Sequence, residues 1–410
     1  PKTYAWIRAA LTALRRCFRT NRIHIGMDEP HGVGLGEYYQ KHGAVNRFEL
    51  LNRHLNRVVD ICKELGFKPI MWSDMFYRLG SKNNDYYDTD AVVPESAIAQ
   101  IPDVALCYWD YYHTDEQFYA GMLEGHRQMG KEVVFAGGIW TWSGILPHVR
   151  KTNATMYPAL RACLKAGIGT VLATSWGDDG CETDYRLALN QLPIYSEHVW
   201  MGEDCTRAEV ERMGERLTGL SEACFNAMGA FYADDEDHRP GKGLFYCDPL
   251  YPLTEGLWDL TGYREGLEEG IKTLERHLDD SRCEYAWLAM RIALERLNWV
   301  NELRPAYLRG DKAVVLAMAN EKLPAMRELY VKMMSVWREQ WESGRKRNGW
   351  ETICARLGAV IARLDDVQRI LLRWADGTIE CVEELDETPL PASRLCGRQD
   401  YHTMSFPQFR

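Results

Sequence analysis

The chain has 410 residues, 46% of them hydrophobic, and a formal net charge of −10 at pH 7. This length allows two domains with sizeable cores, and the charge argues against nucleic acid or an anionic membrane as a partner. The 12 cysteines show no CxxC pair and no zinc-ligand spacing. We therefore predict no metal, no cofactor and a reducing, cytoplasmic compartment.

A helix opens the chain, and a strand follows it. One face of this helix carries the apolar residues Ile7, Leu11, Leu14 and Phe18. Residues 22–27 then form a short apolar and β-branched run. Such a run is typical of a strand in a parallel sheet that is covered on both faces.

Two adjacent carboxylates follow this strand. Asp28 and Glu29 end the apolar run, and Pro30 stops it because proline lacks an N–H and favours an extended residue before it. On an extended strand His24, Gly26 and Asp28 share one face, and a strand that ends at Pro30 lets both acids reach one cavity. Glycosidic bond cleavage requires one protonated acid and one charged partner. The pair is therefore a candidate catalytic site, and an ordinary solvated or salt-bridged pair is the alternative.

Four further segments repeat this design, because each is an apolar run whose carboxyl end carries tryptophan. They are residues 68–76, 104–112, 132–142 and 170–180. Between the first two strands, residues 45–65 have apolar positions at helical spacing. Strands that alternate with helices imply parallel βα units, and functional side chains at successive strand ends are typical of a (β/α)8 barrel. A doubly wound open sheet is the alternative, but no glycine-rich phosphate loop follows any strand.

From about residue 201 the strand patterns give way to helical ones. The helical patterns cover residues 206–230, 266–303, 312–344 and 350–374. The last has heptad spacing from Trp350 to Trp374, which predicts the core of a bundle rather than a dimer zipper because other helices are available to pack on it. Asp376-Gly377 predicts a turn, and residues 378–382 predict a short strand. We therefore predict an α/β catalytic domain at 1–200 and an all-α domain at 201–410.

The residues around the acid pair resemble a known family. Residues 24–29, with the pattern His-x-Gly-x-Asp-Glu, are similar to the signature of glycoside hydrolase family 20, the β-N-acetylhexosaminidases. The longer run at 23–43, IHIGMDEPHGVGLGEYYQKHG, resembles the branch of that family in which a helical domain follows the barrel. The resemblance covers most of the chain and is strongest at residues 22–180.

The resemblance implies an exo-acting enzyme that removes terminal, non-reducing, β-linked N-acetylglucosamine or N-acetylgalactosamine. It implies a retaining, substrate-assisted mechanism, in which the 2-acetamido oxygen of the sugar attacks the anomeric carbon to form an oxazolinium ion. On that scheme Glu29 is the general acid and base, and Asp28 stays ionised and orients the acetamido group. His24 either orients this pair or is a hydrogen-bonded core histidine.

Five tryptophans near strand ends are candidates for the walls of a sugar pocket, because a sugar ring packs on a flat aromatic face. They are Trp72, Trp109, Trp140, Trp142 and Trp176, and any one of them alone could be core. The resemblance also implies a tyrosine that hydrogen-bonds the acetamido oxygen, for which we favour Tyr111 over Tyr112. It implies an acid that binds the outer hydroxyls of the sugar, matched by Asp178 with Asp179 as its rival. Asp74 and Asp110 are sugar contacts or salt-bridge partners.

The sequence departs from the family pattern in the number of strands that precede the acid pair. The acid-pair strand is the fourth of eight in the family, yet only one helix precedes it here, so the visible strands correspond to strands four to eight. We therefore expect the chain to lack an N-terminal part, including the arginine of the first strand that grips the sugar. A partial barrel exposes a sheet edge and should be unstable, sticky or inactive alone.

Two other functions stay open. One is a non-catalytic sugar-binding homologue, and the other is a retaining glycosidase with a carboxylate nucleophile about 5 Å from Glu29, such as Asp178 or Asp74. The expected partner is a small carbohydrate. The polar tail from Pro391 either reaches a second copy in a homodimer or lies on the surface.

Overall fold

The computed structural model describes residues 2–178, 180–233, 240–250 and 262–387. Asp179 and the tail from Pro391 lie outside these residues. The chain divides into two compact units. The first, which we call the sheet unit, comprises Pro1–Gly138, Thr155–Thr174 and Met201–Asp204. The second, the helical unit, comprises Ile139–Ala154, Ser175–Trp200 and Cys205–Arg410. The predicted single boundary near residue 200 stays a prediction.

A five-stranded, all-parallel sheet forms the centre of the sheet unit. Its strands are β1 (Arg22–His24), β2 (Lys68–Trp72), β3 (Ala105–Trp109), β4 (Val133–Gly138) and β5 (Val171–Thr174). Strands that neighbour each other in the sheet are also consecutive in the chain. A doubly wound sheet reverses its strand order at a switch point, whereas this order runs one way around, as in a barrel. The parallel βα units are confirmed, and the sheet is consistent with part of an α/β barrel; the numbering as strands four to eight stays a prediction.

The helices of the sheet unit follow from local sequence signals. They are α1 (Lys2–Cys17), α2 (Glu37–His42), α3 (Arg47–Glu64), α4 (Asp74–Gly80), α5 (Glu95–Ile98) and α6 (Glu116–Gln128), and α7 (Val149–Lys165) ends in this unit. Helix α3 lies where the spacing predicted it. The Asn46 side chain begins it by accepting the backbone N–H of Phe48 at 3.0 Å, a typical N-cap.

Clusters of buried apolar side chains stabilise this unit. Leu11 of α1 packs with Val58 and Cys62 of α3, whereas Leu14 and Phe18, expected on the same face as Leu11, are exposed. A second core consists of strand residues from β2, β3 and β4. Trp72 and Trp109, the last residues of β2 and β3, pack against that core. The strand ends therefore carry aromatic side chains in contact with the sheet interior.

The helical unit is a bundle around one extensive core. Its helices are the first part of α7, then α8 (Leu192–Met201), α9 (Arg207–Thr218), α10 (Glu222–Met228), α11 (Pro240–Tyr246), α12 (Tyr263–Leu274), α13 (Ser281–Leu308), α14 (Lys312–Ala317), α15 (Leu323–Gly344), α16 (Trp350–Ala375) and α17 (Glu383–Asp386). Short 3-10 segments occur in this unit at Tyr185–Gln191, Gly229–Phe231 and Glu275–His277, and a further one at Gly202–Asp204 belongs to the sheet unit. A π-helical turn at Met318–Lys322 joins α14 to α15. None of the described helices combines the length and the apolar character that a membrane crossing needs.

The heptad residues of α16 lie in the core of this same unit. Ile353, Leu357 and Val360 are among them and pack with residues of α13 and α15. The Asp376-Gly377 turn forms as predicted, with the Thr378 N–H bound to the Asp376 carboxylate at 2.8 Å. The predicted strand at 378–382 is wrong. The segment is irregular, because the Val382 N–H donates to the Tyr307 hydroxyl at 2.9 Å instead of to a neighbouring strand.

Candidate active site

The acid pair lies in an irregular segment just beyond β1. Ladder hydrogen bonds continue past the strand, since the Ile25 N–H donates to Ile70 O at 2.8 Å and the Trp72 N–H donates to Gly26 O at 3.0 Å. The backbone then turns left-handed at Gly26 and Met27, with φ of 75° and 82°. This turn ends the pairing before Pro30, so the expected alternation of side chains does not extend to Asp28.

The backbone around the acids is strained. Non-glycine residues in the left-handed region occur at Met27, Glu29, Asn84 and Cys181 among the described residues, and two of these flank Asp28. Left-handed backbone costs free energy for residues with a Cβ, and it persists only where the surroundings enforce it. Such strain concentrates at functional sites, which makes the segment a candidate site on structural grounds as well. Both Asp28 and Glu29 are exposed.

Asp74 supplies part of that enforcement. It begins α4 directly after β2, is only 5% exposed, and its Oδ2 accepts the backbone N–H of Glu29 at 2.9 Å. Burial raises the pKa of Asp74 to about 6, the Glu29 N–H and the Trp109 side chain act in the opposite direction, and the Asp28 charge raises it further. The sequence left Asp74 as a sugar contact, a salt-bridge partner or a nucleophile. The structure gives it a contact that fixes the backbone of Glu29.

His24 lies behind the acids as a neutral imidazole. Its Nδ1 accepts the Gly26 N–H at 3.1 Å, and its ring lies 4.2 Å from the Trp72 ring between centroids. Burial lowers the pKa of His24 to about 4, and the Asp28 charge only partly offsets this. Its Nε2 is buried and has no hydrogen-bond partner among the described residues. The contact with Gly26 supports the left-handed turn, while the orienting role in catalysis stays a prediction.

An aromatic cluster in the sheet unit contacts Glu29 through Tyr86. Burial, followed by the charge of the Glu29 carboxylate and a side-chain hydrogen bond to it, raises the pKa of Tyr86 to about 12. The Tyr86 ring lies 5.7 Å from the Trp109 ring, which stacks on Tyr111 at 5.4 Å. The structure therefore connects Glu29 with Trp109 and Tyr111. Sequence reasoning missed Tyr86, although its position in the Tyr-Tyr pair at 86–87 could have drawn attention to it.

Asp110 is buried and contacts other residues of the protein. Its carboxylate is fully buried and accepts the Tyr108 hydroxyl at 2.7 Å and the Tyr112 N–H at 2.9 Å. The His113 ring lies at 2.7 Å from the same carboxylate. Of the two roles that the sequence left open, these contacts favour a partner within the protein over a sugar contact.

The remaining candidates belong to the helical unit. Trp140 and Trp142, which follow β4, stack on each other at 4.4 Å and are buried. Trp176 and Asp178, which follow β5, are exposed, and the Thr141 hydroxyl donates to Trp176 O at 2.8 Å. The structure thus brings His24, the acid pair, Trp72, Trp109 and Tyr111 together in the sheet unit, and it places Trp140, Trp142, Trp176 and Asp178 in the helical unit.

Two comparisons with known proteins give matches. Residues 231–403 match the family model for the Glycoside Hydrolase 20C C-terminal domain. A Flavobacterium johnsoniae chitobiase of family GH20 matches 90% of this chain and 59% of its own, with 12% identity and a TM-score of 0.34. A GH138 enzyme targeting pectin rhamnogalacturonan II matches 92% of this chain and 65% of its own, with 9% identity and a TM-score of 0.33. The chain therefore spans less than two thirds of either structure, and no curated protein sequence matches it.

The family-model match concerns the second half of the chain. The match at 231–403 lies largely in the helical unit. This part of the chain is therefore similar to the C-terminal domain of glycoside hydrolases of the 20C type.

Proposed function

We propose that this protein is an exo-acting β-N-acetylhexosaminidase. It would remove terminal, non-reducing, β-linked N-acetylglucosamine or N-acetylgalactosamine with retention of configuration. The observation that carries the proposal is the exposed Asp28–Glu29 pair beyond the end of β1, on backbone held left-handed at Met27 and Glu29. The domain match at 231–403 supports it independently, since it lies in a different part of the chain.

The proposed first step breaks the glycosidic bond with help from the substrate. Glu29 gives its proton to the leaving oxygen while the 2-acetamido carbonyl oxygen attacks the anomeric carbon and forms an oxazolinium ion. Asp28 accepts the acetamido N–H and offsets the positive charge that develops on the ring. In the second step water attacks the anomeric carbon and gives a proton to Glu29, which restores both the acetamido group and the acid.

Adjacent acids can share this work only if both side chains reach the same pocket. A continuing strand would point Asp28 and Glu29 to opposite faces. The left-handed backbone at Met27 and Glu29 breaks that alternation, and the Asp74 carboxylate fixes the Glu29 N–H at 2.9 Å. This geometry favours a pair in which one carboxyl addresses the leaving oxygen and the other addresses the acetamido group.

Aromatic side chains of the sheet unit would line the sugar pocket. Trp72 packs beside His24, and Trp109 packs between Tyr86 and Tyr111. Trp109 would offer a flat face to the sugar, and Tyr111 would hydrogen-bond the acetamido oxygen. The resemblance also implies substrate contacts for Trp140, Trp142, Trp176 and Asp178, with Asp178 as the contact to the outer hydroxyls of the sugar.

The test compares three chromogenic sugars on the full-length protein. We expect nitrophenol release from the β-N-acetylglucosaminide or β-N-acetylgalactosaminide and none from the plain β-glucoside, because only the first two carry the acetamido nucleophile. A thiazoline analogue of the oxazolinium ion should inhibit strongly. Equal hydrolysis of all three sugars would move the assignment to a carboxylate-nucleophile glycosidase. Tight sugar binding without turnover would move it to a sugar-binding homologue.

The variants for this test are Glu29→Gln and Glu37→Gln. Glu37 is an exposed carboxylate on α2, eight residues further on in the sequence, and pairs at 3.6 Å with Lys41. Glu29→Gln should abolish turnover, whereas Glu37→Gln should leave it unchanged. Equal activity in the two variants would exclude Glu29 as the acid.

A further inference from the structure

The segment after β5 carries two of the candidate sugar contacts on strained backbone. We call residues 175–178 and 180–184, which lie in the helical unit, the β5 loop. It presents Trp176 and Asp178 at the surface. Just beyond them the backbone is left-handed, with φ of 100° at Gly180 and 52° at Cys181. A left-handed residue with a Cβ, such as Cys181, requires surroundings that enforce it.

A buried charge cluster provides those surroundings. Glu182 is fully buried, and its Oε2 lies 2.9 Å from Nζ of Lys242 on α11. Its Oε1 lies 2.8 Å from Nη1 of Arg356 on α16 and accepts the Tyr246 hydroxyl at 2.7 Å. We call Glu182, Lys242, Tyr246 and Arg356 the Glu182 cluster. Burial would raise the pKa of Glu182, but Lys242 and Arg356 outweigh it and hold this pKa below its usual range.

Further contacts hold the backbone on both sides of Trp176 and Asp178. The Arg345 guanidinium donates to Cys181 O at 2.7 Å and also to Thr183 O. On the other side the Thr141 hydroxyl donates to Trp176 O. A Cβ at Gly180 would lie 2.5 Å from Nη1 of Arg356, so the loop backbone approaches the cluster closely.

The chemistry of the cluster favours a role in geometry. Burying a carboxylate and two cations carries a large desolvation cost, and an apolar packing of the same volume is often as stable. A charge cluster with directed hydrogen bonds does define one conformation, because each donor must meet its acceptor. Asp178 lies four residues before Glu182, so the position of its carboxylate depends on the conformation that the cluster enforces.

We propose that Glu182 is a positioning residue for sugar recognition, through which the helical domain holds Trp176 and Asp178 in the geometry that reads the outer hydroxyls of the substrate. This inference rests on the proposed function, because it takes Trp176 and Asp178 as contacts of a hexosaminide. It makes the Glu182 cluster a determinant of the choice between gluco- and galacto-configured sugars.

The main test uses Glu182→Gln in the full-length protein, with activity and hydrogen exchange measured together. We expect amide exchange in residues 175–184 to accelerate at least tenfold, and exchange in the centre of α13 to stay unchanged. KM for the preferred N-acetylhexosaminide should rise about tenfold with a smaller change in kcat, and the discrimination between gluco and galacto substrates should shrink. In an Asp178→Asn background the same substitution should add little, because both act on one contact.

The control is another arginine of α16. Arg363 also has several acidic partners, among them Asp248 at 2.8 Å and Asp366 at 2.7 Å, but none of them lies in the β5 loop. Arg356→Met should alter loop exchange and sugar discrimination, whereas Arg363→Met should alter neither. If both variants had the same effect, the cluster would matter only for stability and the proposal would be wrong.

Milder substitutions cover the case in which Glu182→Gln does not fold. Tyr246→Phe removes one hydrogen bond and keeps all charges, and Arg356→Lys keeps the charge opposite Glu182. Both should give intermediate KM values, with Arg356→Lys closer to wild type than Arg356→Met. Unchanged loop exchange and unchanged discrimination in all folded variants would overturn the positioning role. A wild-type protein that fails to hydrolyse any hexosaminide would instead contradict the proposed function, and loop exchange would still show whether Glu182 holds the loop.

Discussion

Two regions of the molecule that contain candidate residues use carboxylates in opposite ways. Beyond β1, Asp28 and Glu29 are exposed, and the backbone N–H of Glu29 is held by another residue, Asp74. In the β5 loop, Glu182 is fully buried and contacts two cations and a tyrosine hydroxyl. The exposed pair has oxygens available for a substrate, whereas the oxygens of Glu182 are occupied by protein.

This difference distinguishes acidic residues that can act on a substrate from acidic residues that stabilise the fold. A catalytic acid must exchange a proton with the substrate, so its oxygens have to be accessible. A structural carboxylate is stable when buried only if it is paired and hydrogen-bonded. On the proposed function, the contrast predicts that turnover depends on the exposed pair and that local geometry depends on the buried cluster, and each of the following substitutions tests that division.

The largest effect is expected at Glu29. Replacing Glu29 by Gln keeps the size of the side chain and removes the proton that the leaving oxygen needs. We expect kcat on the N-acetylhexosaminide to fall about 10²–10⁴-fold, with a urea unfolding midpoint close to wild type because the side chain is exposed. Steady-state kinetics and urea unfolding measure both quantities. A variant that loses stability in proportion to its activity would contradict the assignment of Glu29 to chemistry.

At Glu182 we expect the reverse, a large loss of folding free energy with a smaller change in kcat. Glu182→Gln leaves Lys242 and Arg356 buried, with side-chain exposures of 1% and 9%, opposite a neutral partner. Breaking a buried ion pair in this way costs about 3–5 kcal/mol of folding free energy. Urea unfolding of wild type and variant at neutral pH measures the loss. A loss below about 1 kcal/mol would mean that the Glu182 cluster contributes no more to stability than ordinary surface ion pairs do.

Local sequence patterns predicted most of the secondary structure. The apolar run at 68–76 contains β2, and the apolar spacing at 45–65 predicted α3 to within two residues at each end. The heptad pattern from Trp350 predicted the buried face of α16. These elements are encoded locally, because a strand needs a short β-branched run and a helix needs only its 3.6-residue periodicity.

The geometry of the site depends on contacts that no local pattern contains. The left-handed turn before Glu29 is supported by Asp74, 45 residues away in the chain. Glu182 meets Tyr246 and Arg356 across separations of 64 and 174 residues. The motif identifies the acid pair in the sequence, but such distant partners become visible only in three dimensions. The roles of the individual site residues stay predictions until the variants are measured.

Asp74 is buried like Glu182 but contacts the backbone of Glu29, and its carboxyl group should make the free energy of unfolding depend on pH. Its pKa is raised from the ordinary 3.8 to about 6, so the folded protein binds more protons than the unfolded chain in that interval. Stability contributed by this group therefore falls as pH rises from 4 to 6. Asp74→Asn removes the titration, and the wild type should lose about 2 kcal/mol more than the variant across the interval.

Urea unfolding at several pH values between 4 and 7 tests this expectation. His24 has the opposite sign, because its pKa is lowered to about 4 and its contribution to stability rises with pH. That contribution is common to both proteins and cancels in their difference, as does any constant cost of the new amide. Parallel stability profiles for wild type and Asp74→Asn would show that Asp74 is not a titrating buried group.

The smallest effect is expected at Glu116, which matches Glu182 in its number of cationic partners but not in burial. Its carboxylate lies 2.8 Å from Nε of Arg161 and 2.6 Å from Nζ of Lys165, and its side chain is 26% exposed. Solvent screens such pairs, so Glu116→Gln should cost less than about 1 kcal/mol, and the cost should shrink between about 0.1 M and about 1 M salt. Urea unfolding at both salt concentrations measures it. If Glu116→Gln cost as much as Glu182→Gln, the number of ionic partners rather than burial would determine stability, and the structural difference between the two regions would lose its physical basis.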